Sequence, residues 1–392
     1  MVANAGKGCL LTQFDASDAY KQLQVRDEDL HQQIFMANGK FWVDFCASFG
    51  SLYGNDIYSA FGNAHCICLA FAAALPLLRV YVDNYINITP ACGERTEQIA
   101  KAEKMRLLVE LIKSGLKFHK FQGPTTILDF LGATFNTEAM TVAIPEERIR
   151  FMIAYIKEWR CKTSYTLKEL SSLIGLLLYA GQLALGLKSA AGWLLKKKAA
   201  LLKSPDTHAR CGNRIRASLA RTQYILERWN GTARIYDMDW QTGPDLTIFC
   251  DAAIDKPFPK AGSFGKGAYA MPTGQKRSAP WTEEEAAESK RLGKKAASSS
   301  YLELVNMLES ILLLAKEKQK VLCYCDNTGA VTIARERYTK IESKKMTERL
   351  QDFDLACLQR CLSVRFEWKS EEEAEMALAD KLSRGWQVQT TA

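Results

Sequence analysis

The stretch FDASDAY, Phe14–Tyr20, places the carboxylate of Asp15 at the end of an apolar strand. A second stretch, YVDN at Tyr81–Asn84, places Asp83 between two apolar runs that predict a β-hairpin. Carboxylates at neighbouring strand ends suit hard divalent cations, which prefer oxygen ligands. Paired ions of this kind stabilise both the attacking and the leaving oxygen of a phosphoryl transfer. The two stretches therefore predict a metal-dependent phosphoryl-transfer site.

Length, composition and charge narrow the class of protein. The chain has 392 residues, so two or three domains are expected. A hydrophobic content of 47% and a charged content of 24% are typical of a globular protein with a sizeable core. The net charge of +8 is concentrated between Lys188 and Arg221, where nine basic residues accompany one acid, Asp206. Such a local basic surface suits a polyanion such as nucleic acid, and a solvated helix face is the alternative.

The cysteines and one apolar stretch indicate the cellular compartment and whether the chain associates with a membrane. The 12 cysteines contain no CxxC pair and the chain has only 4 histidines, so a zinc site is not expected. We predict reduced thiols in an intracellular protein, with no signal that distinguishes cytoplasm from nucleus. The apolar stretch 170–187 follows a capping box at Thr166 and Glu169. Its helical spacing predicts a buried helix rather than a membrane span, and no membrane association is expected.

The order of predicted elements gives the domain organisation. Strand-like and helix-like segments alternate up to about residue 145, helices alone follow, and a second α/β region begins after a change of composition near residue 231. We therefore expect an α/β protein. Its expected domains are 1–145, 146–232 and 233–392.

Three local predictions concern segments outside the main motifs. A helix over 54–75 is apolar on more than one face and is predicted to be buried. A hairpin is predicted from a strand over 127–135 and a second strand over 140–144. The acidic runs 283–285 and 371–375 are predicted to be solvated.

The first region resembles the palm of reverse transcriptases, because the stretches around Asp15 and Asp83 are similar to motifs A and C of that family. The resemblance implies that these two catalytic aspartates hold two Mg²⁺ or Mn²⁺ ions, which activate a primer 3′-hydroxyl and neutralise a deoxynucleoside triphosphate. It also implies nucleotide-binding roles for an aromatic that excludes a ribose 2′-hydroxyl, for an FG pair near the template and for a lysine. These residues are Tyr20, Phe49, Gly50 and Lys120.

Three features differ from the usual pattern of that family. Asn84 stands where a second aspartate is usual. Gln122 stands where a lysine usually protonates the leaving pyrophosphate, and Lys120 is a candidate substitute two residues away. Because Asp15 lies close to Met1, we expect the fingers that normally precede motif A to be missing, which leaves the polymerase activity open.

The last region resembles an RNase H domain, on the stretches CDNTGAV and ADKLSR. The resemblance implies four carboxylates that converge on two divalent ions, one activating water and one stabilising the leaving oxygen. The expected catalytic and metal-binding residues are Asp251, Glu303, Asp326 and Asp380.

Some assignments in this region stay open at the level of sequence. Glu309 lies two turns after Glu303 on the same predicted helix and is its rival. The pair Asp326–Asn327 is alternatively a helix N-cap. The three glycines of 262–267 predict a flexible turn. Met376 stands where the RNase H family often has asparagine.

The helices between these regions resemble a thumb and connection, which in this family bind the backbone of an RNA–DNA hybrid. Phosphate contacts give affinity without sequence information, and a hybrid close to A-form is recognised by its shape. The predicted contact residues are Lys188, Lys196, Lys197, Lys198, Lys203, Arg210, Arg214 and Arg216.

The resemblance as a whole predicts a reverse transcriptase–RNase H segment of a retroelement, DIRS-type or related. Its predicted activities are RNA-directed DNA synthesis and hydrolysis of RNA in hybrids, each with two Mg²⁺ or Mn²⁺ ions. The implied partners are RNA or DNA template with primer, deoxynucleoside triphosphates and RNA–DNA hybrid. A nuclease with an inactive polymerase domain and a non-catalytic nucleic-acid-binding remnant are the alternatives. The sequence does not give the oligomeric state.

Overall fold

The computed structural model describes residues 1–48, 53–184, 186–204, 208–235, 240, 243–254, 258–293, 295–337, 339, 341 and 343–385. The chain forms two compact units, the first containing Met1–Ala143 and the second containing Ile144–Arg234 together with the chain beyond residue 243. Helices and strands occur in both units, which confirms the predicted α/β class. The helical region and the last α/β region share one unit, and their division at residue 232 stays a prediction.

The first unit is built on an antiparallel four-stranded sheet. Its elements are α1 (Val2–Ala5), β1 (Leu10–Ala16), β2 (Ile34–Ala37), β3 (Lys40–Val43), α2 (Gly54–Ala72), β4 (Arg79–Tyr81), β5 (Asn84–Thr89), α3 (Thr96–Ser114), β6 (Phe118–Thr125), β7 (Ile127–Phe130), β8 (Ala133–Asn136) and β9 (Thr141–Ala143). The sheet order is β4-β5-β1-β6. Buried Phe14 of β1 stacks on Tyr85 and Phe121, with ring centroids 4.8 Å and 5.3 Å apart. This aromatic stack joins the neighbouring strands β5, β1 and β6.

Helix α2 differs from its prediction. It is helical as expected, but only one of its faces is buried. That face contains Tyr58 and Leu69. Ile67 and Phe71 lie on the opposite side, where Phe71 is 89% exposed. The prediction of a buried helix is therefore wrong for that side, because apolar content alone does not show whether a second layer covers a helix.

The segment predicted as one strand over 127–135 is two strands. Leu131 and Gly132 both have positive φ, 52° and 78°, and they form the turn between β7 and β8. Two consecutive left-handed residues are characteristic of the tight hairpin turns that match strand twist. Phe130 thus ends β7, and Leu131 and Gly132 make the hairpin turn.

The second unit begins with a helical region. Its elements are α4 (Glu146–Cys161), β10 (Ser164–Tyr165), α5 (Leu167–Ala180), α6 (Gly186–Leu201), β11 (Ala209–Arg210), α7 (Asn213–Arg228) and β12 (Thr232–Arg234). The predicted capping box is confirmed: Glu169 N donates to Thr166 Oγ1 (3.2 Å), and Thr166 N donates to Glu169 Oε2 (2.8 Å). Trp159 and Leu173 are fully buried in the core of this region. Within the described ranges, the structure contains no helix with the length and apolarity of a membrane span.

The rest of the second unit is a five-stranded sheet with helices. Its elements are β13 (Leu246–Ala252), β14 (Phe264–Met271), β15 (Lys276–Pro280), α8 (Glu283–Leu292), α9 (Lys295–Leu314), β16 (Lys320–Cys325), α10 (Thr328–Glu336), α11 (Lys344–Gln359), β17 (Ser363–Trp368) and α12 (Ala374–Ser383). The sheet order is β15-β14-β13-β16-β17. Strands β13, β16 and β17 are parallel, and β14 and β15 are antiparallel to their neighbours. Parallel strands place their carboxyl ends at one edge of the sheet, which is where a site is expected.

The first acidic run is solvated as predicted at Glu283 and Glu284, which are exposed, but not at Glu285. Glu285 is fully buried, and its carboxylate accepts a hydrogen bond from Lys266 Nζ at 2.8 Å. It also closes a second capping box with Thr282, the N-cap of α8. The three-residue spacing of Thr282 and Glu285 in the sequence is the pattern that predicts such a capping box. The second acidic run begins at Glu371, which is exposed.

Candidate functional site

The first unit brings together the two aspartates predicted there. Asp15 lies near the end of β1 and pairs in register with Asn84, the first residue of β5. Asp83 precedes it in the turn between β4 and β5, and Ala16 N donates to Asp83 O at 2.9 Å. The two residues therefore lie side by side on neighbouring strands, as the motifs imply.

Each of these carboxylates has a polar partner from the protein. Lys120 Nζ of β6 lies 3.0 Å from Asp15 Oδ2. Asn84 Nδ2 donates to Asp83 Oδ1 at 2.8 Å. Gln122, which stands where the family usually has a lysine, accepts a hydrogen bond from Gln13 Nε2 at 2.9 Å. Lys120 is thus the cation that the fold presents to this site.

Aromatic residues stand beside Asp83. The hydroxyl of Tyr20 donates to Asn55 Oδ1 at 3.1 Å, and its ring lies 5.1 Å from that of Tyr58. Burial, together with the nearby charge of Asp83, raises the pKa of Tyr58 to about 12. Tyr58 is therefore a neutral phenol next to the predicted metal ligand.

The close approach of α2 to this turn depends on a glycine. A Cβ at Gly62 would lie 2.9 Å from the carbonyl oxygen of Val82, which is closer than real Cβ contacts. Val82 itself has a φ of 57°, so the turn that carries Asp83 adopts a strained left-handed conformation. Of the predicted nucleotide-binding residues, Phe49 and Gly50 lie outside the described residues.

The second unit brings together the predicted carboxylates of the RNase H-like region. Asp251 lies near the end of β13, Asp326 directly follows β16, and Glu303 lies on α9 behind them. A carboxylate oxygen of Glu303, a carboxylate oxygen of Asp326 and the Sγ of Cys325 all lie within 4.8 Å of one another. The carboxyl ends of two parallel strands and one helix therefore form an acidic cluster.

The carboxyl groups of Asp251 and Glu303 in this cluster have raised pKa values. Burial raises the pKa of Asp251 to about 6, and the charges of Asp326 and Asp380 add to this effect. Burial, together with the charges of Asp251 and Asp326, raises the pKa of Glu303 well above its usual range. Ser383 Oγ lies 2.6 Å from Asp251 Oδ2 and 2.7 Å from the carbonyl oxygen of Asp380, which connects Asp380 to the same edge of the sheet.

The structure separates Glu303 from its rival. Glu309 forms ion pairs with Lys266 and Arg277, both at 2.8 Å, and with Arg349 at 3.0 Å. Its charge is therefore balanced within the protein, whereas Glu303 is buried beside two other carboxylates. The geometry places Glu303 in the acidic cluster and Glu309 in a structural network.

The N-cap alternative applies to only one residue of its pair. Asn327 Oδ1 accepts a hydrogen bond from Ala330 N at 2.9 Å and caps α10. Asp326 takes no part in this cap. Its carboxylate is instead near the Sγ of Cys325, at 4.0 Å.

A glycine and an asparagine position the neighbouring helix and strand. Gly267 lies opposite Asp251 in the β13–β14 register, and a Cβ there would lie 2.2 Å from Ala379 O and 2.3 Å from Ser383 N. Only a residue without a side chain lets α12 approach this strand so closely. Asn306 Nδ2 donates to Asp251 O (2.7 Å) and Gly267 O (2.9 Å), which ties α9 to both strands.

The predicted flexible turn over 262–267 is therefore only partly correct. Gly262 has a φ of 83° in the turn, but Gly265 and Gly267 belong to β14. At Gly265 a Cβ would overlap the indole of Trp281. Both strand glycines serve close packing rather than flexibility.

Four side chains at this site were missed at the level of sequence. Ser383 Oγ donates to Asp251 Oδ2 at 2.6 Å, and Arg384 contacts both carboxylate oxygens of Asp380. Glu371 contributes, after burial, to the raised pKa of Asp326. The fourth is Asn306. Ser383 and Arg384 follow Asp380 by three and four residues, so helical spacing was a usable signal.

Four of the predicted nucleic-acid contacts have exposed or half-buried side chains, and Arg216 makes hydrogen bonds to the protein backbone. Lys197, Lys203 and Arg210 are exposed, and Lys198 is half-buried. Arg216 donates to the carbonyl oxygens of Arg160 (3.2 Å) and Lys162 (2.9 Å), so its guanidinium serves the end of α4. The side chains of Lys188, Lys196 and Arg214 lie outside the described part of the structure.

Comparison with known proteins gives structural neighbours alone. No family model matches the sequence, and no curated protein matches it. A foamy viral protease–reverse transcriptase in complex with double-stranded DNA aligns over 92% of this chain and 57% of its own, with 15% identity and a TM-score of 0.43. The foamy viral enzyme in complex with an RNA/DNA hybrid aligns over 94% and 44%, with 14% identity and a TM-score of 0.41. The chain thus spans about half the length of these neighbours, and likeness at this level does not extend to function.

Proposed function

We propose that the second unit hydrolyses the RNA strand of RNA–DNA hybrids in a metal-dependent reaction. The observation that supports this most directly is the acidic cluster of Asp251, Glu303, Asp326 and Asp380. In the described chain, the ion pairs at this cluster reach only Asp380, through Arg384. Uncompensated carboxylate oxygens of this kind fit Mg²⁺ or Mn²⁺, which prefer hard oxygen ligands.

The roles of the protein groups follow from their contacts. Asp251, Glu303, Asp326 and Asp380 would hold two ions, which when bound supply an activated water and stabilise the leaving oxygen. Ser383 fixes one carboxylate oxygen of Asp251 by its 2.6 Å hydrogen bond. Arg384 contacts both carboxylate oxygens of Asp380 and fixes that side chain. The site is thereby oriented before substrate binds.

Cleavage of a labelled RNA–DNA hybrid in Mg²⁺ tests this proposal. We expect cleavage by the full chain and a loss of at least about a hundredfold in Glu303→Gln, because a charged ligand at the reacting centre is removed. Glu309→Gln is the matched control on the same helix, and it should lower stability while cleavage persists. Equal loss of cleavage in both variants at full folding would contradict the assignment of Glu303.

We propose RNA-directed DNA synthesis as the activity of the first unit, within a retroelement protein of the DIRS type or a related one. The adjacent Asp15 and Asp83, with the ammonium of Lys120 at 3.0 Å from Asp15, support it. The aspartates would hold Mg²⁺ or Mn²⁺, Tyr20 would contact the nucleotide sugar, and Lys120 is the available proton donor. Primer with RNA or DNA template and deoxynucleoside triphosphates are the substrates of this activity.

Primer extension on an RNA template tests the second activity separately. The reaction uses chain carrying Asp326→Asn, so that the template is not hydrolysed, and compares it with the same chain carrying Asp83→Ala. Extension that Asp83→Ala abolishes supports a polymerase. Hybrid cleavage without extension would leave a nuclease with an inactive palm, and hybrid binding in chelator without either reaction would leave a binding protein.

A further inference from the structure

Asp326 lies where the ladder between β16 and β17 ends. The last pair of that ladder is Cys325 with Trp368, so Asp326 is the first residue beyond the sheet. The first turn of α10 does not reach its carbonyl oxygen either, because Ala330 N, four residues on, donates to the side chain of Asn327. A carbonyl group that both elements leave out needs another donor.

A side chain of β17 supplies that donor. Trp368 Nε1 donates to Asp326 O at 2.7 Å. The carboxylate of Asp326 is tied to the same piece of backbone, because its own backbone N–H donates to it. The backbone at Asp326 therefore sets the direction of the carboxylate, and the indole of Trp368 holds that backbone.

The strand that carries Trp368 is itself held in place. β17 is at one end of the five-stranded sheet, and the backbone two residues before Trp368 is anchored from α10, since Arg335 Nε donates to Phe366 O at 2.5 Å. Phe366 is buried in the core, whereas the ring of Trp368 is 51% exposed. The indole thus acts from a fixed backbone, and its replacement does not empty a core position.

Asp251 of the same acidic cluster has support of the same kind. Asn306 Nδ2 donates to Asp251 O at 2.7 Å, as Trp368 Nε1 does to Asp326 O. The carboxylate of Asp326 has only a weak side-chain donor: among the described residues, this donor is the thiol of Cys325 at 4.0 Å. The position of Asp326 thus depends on its backbone more than on contacts of its carboxylate.

We propose that Trp368 is a positioning residue of the hydrolytic site, which acts through Asp326 by holding its carbonyl oxygen. The expected effect on cleavage rests on the proposed RNA hydrolysis, whereas the expected effect on ion binding does not. Without the indole N–H, the carboxylate of Asp326 adopts more orientations, and a divalent ion binds it more weakly. Binding of the hybrid does not use this hydrogen bond.

Two replacements of Trp368 in the full chain test the role of its N–H. Trp368→Phe removes the N–H and keeps an aromatic ring, and 3-benzothienylalanine at position 368 keeps the bicyclic shape with sulfur in place of the N–H. In both variants kcat for hybrid cleavage at a fixed, subsaturating Mg²⁺ concentration should fall about tenfold, with KM for the hybrid unchanged. Higher Mg²⁺ should restore their cleavage, but not that of Asp326→Asn.

Binding of Mn²⁺ in the absence of hybrid, measured by electron paramagnetic resonance, gives a second readout. The chain carries Asp83→Ala, so that the first site does not contribute. Both Trp368 replacements should raise the dissociation constant for Mn²⁺ about tenfold. Trp42→Phe is the matched control: Trp42 is also 51% exposed and its Nε1 donates to Ala37 O at 3.2 Å, but it lies on β3 of the first unit, and its substitution should change neither readout.

The outcomes separate this role from the proposed hydrolysis. Unchanged Mn²⁺ affinity in both Trp368 replacements overturns the positioning role, and so does a loss in Trp368→Phe that the benzothienyl side chain does not share, because ring shape then causes it. If the unsubstituted chain binds Mn²⁺ but cleaves no hybrid, the proposed hydrolysis fails, and weaker Mn²⁺ binding in both replacements still supports the positioning role.

Discussion

In the first unit a lysine ammonium lies 3.0 Å from Asp15 Oδ2, whereas in the second unit the carboxylate of Asp251 accepts a hydrogen bond from the hydroxyl of Ser383. The first site is assembled from neighbouring strands of one antiparallel sheet. The second gathers acids from two parallel strands and two helices. Burial raises the pKa of Asp251 and of Glu303, and the neighbouring carboxylates add to this effect. Among the described residues, the ion pair at this site is that of Arg384 with Asp380.

The difference shows two ways of building a carboxylate site. Where a protein cation is in contact, the folded chain itself offsets part of the charge. Where the acids are buried together, the fold must supply the energy that holds them, and a bound cation returns part of it. The second site should therefore respond more strongly to packing, pH and divalent ions.

The largest expected effect comes from the glycines that allow close packing. Gly267→Ala should destabilise the chain by about 3 kcal/mol, because its Cβ would meet two backbone atoms at 2.2 Å and 2.3 Å. Gly62→Ala, with one backbone contact at 2.9 Å, should destabilise the chain by about 1 kcal/mol, because the contact is longer and the helix propensity of alanine offsets part of its cost. Chemical denaturation measures both. Equal losses would show that the two sites are packed alike.

The pH dependence of stability sharpens the comparison. In the folded chain Asp251 binds its proton more tightly than in the unfolded chain, since its pKa moves from 3.8 to about 6. In chelator its contribution is therefore present at low pH and is lost as the pH rises through about 6, by up to about 3 kcal/mol. Urea denaturation between pH 4 and pH 7 measures this slope.

Two comparisons isolate the contribution of the Asp251 carboxyl group to the pH dependence of stability. Asp251→Asn should flatten the slope, because asparagine keeps the hydrogen bond from Ser383 without a proton to lose. Mg²⁺ should also flatten it in the unsubstituted chain, because a cation favours the charged form. A slope that neither change alters would belong to other groups.

A smaller effect is expected for Ser383→Ala. Loss of the 2.6 Å hydrogen bond leaves Asp251 less well oriented, and hybrid cleavage should fall by about 10- to 100-fold. Stability should fall by only about 1 kcal/mol. Ser383→Thr keeps the hydroxyl and should recover part of the activity. Unchanged cleavage in the alanine variant would remove the positioning role of this serine.

The smallest effect on stability is expected at the first site. Lys120→Ala removes a partner of Asp15 whose side chain is 65% exposed, and such pairs contribute about 0–1 kcal/mol. Primer extension, in contrast, should fall if this ammonium supplies the proton. Lys117→Ala, three residues away on the same segment, is the control and should leave extension unchanged. Unchanged primer extension in Lys120→Ala would show that another group donates the proton.

Much of the fold followed from local signals. The strand β1 forms at the apolar run that ends in Asp15, Gly115 ends α3 in the left-handed conformation, and Thr166 begins α5 with its capping box. Each of these depends on residues close together in the chain, so sequence contains them. The capping-box spacing also occurs at Thr282 and Glu285, and the prediction that Glu285 is solvated was wrong.

Short motifs in the sequence singled out six candidate carboxylates and their order. In the structure Glu303 lies in the middle of α9 rather than at its start, and Asp380 lies near the end of α12. Tertiary structure decided which of them meet. Glu303 and Glu309 lie on one helix, and only its packing against β13 and β16 turns the first toward Asp326 and the second toward Lys266. Likewise, Gly267 acquires its role only because α12 returns from more than a hundred residues away to contact it. Such choices depend on contacts between distant segments, which no local pattern contains.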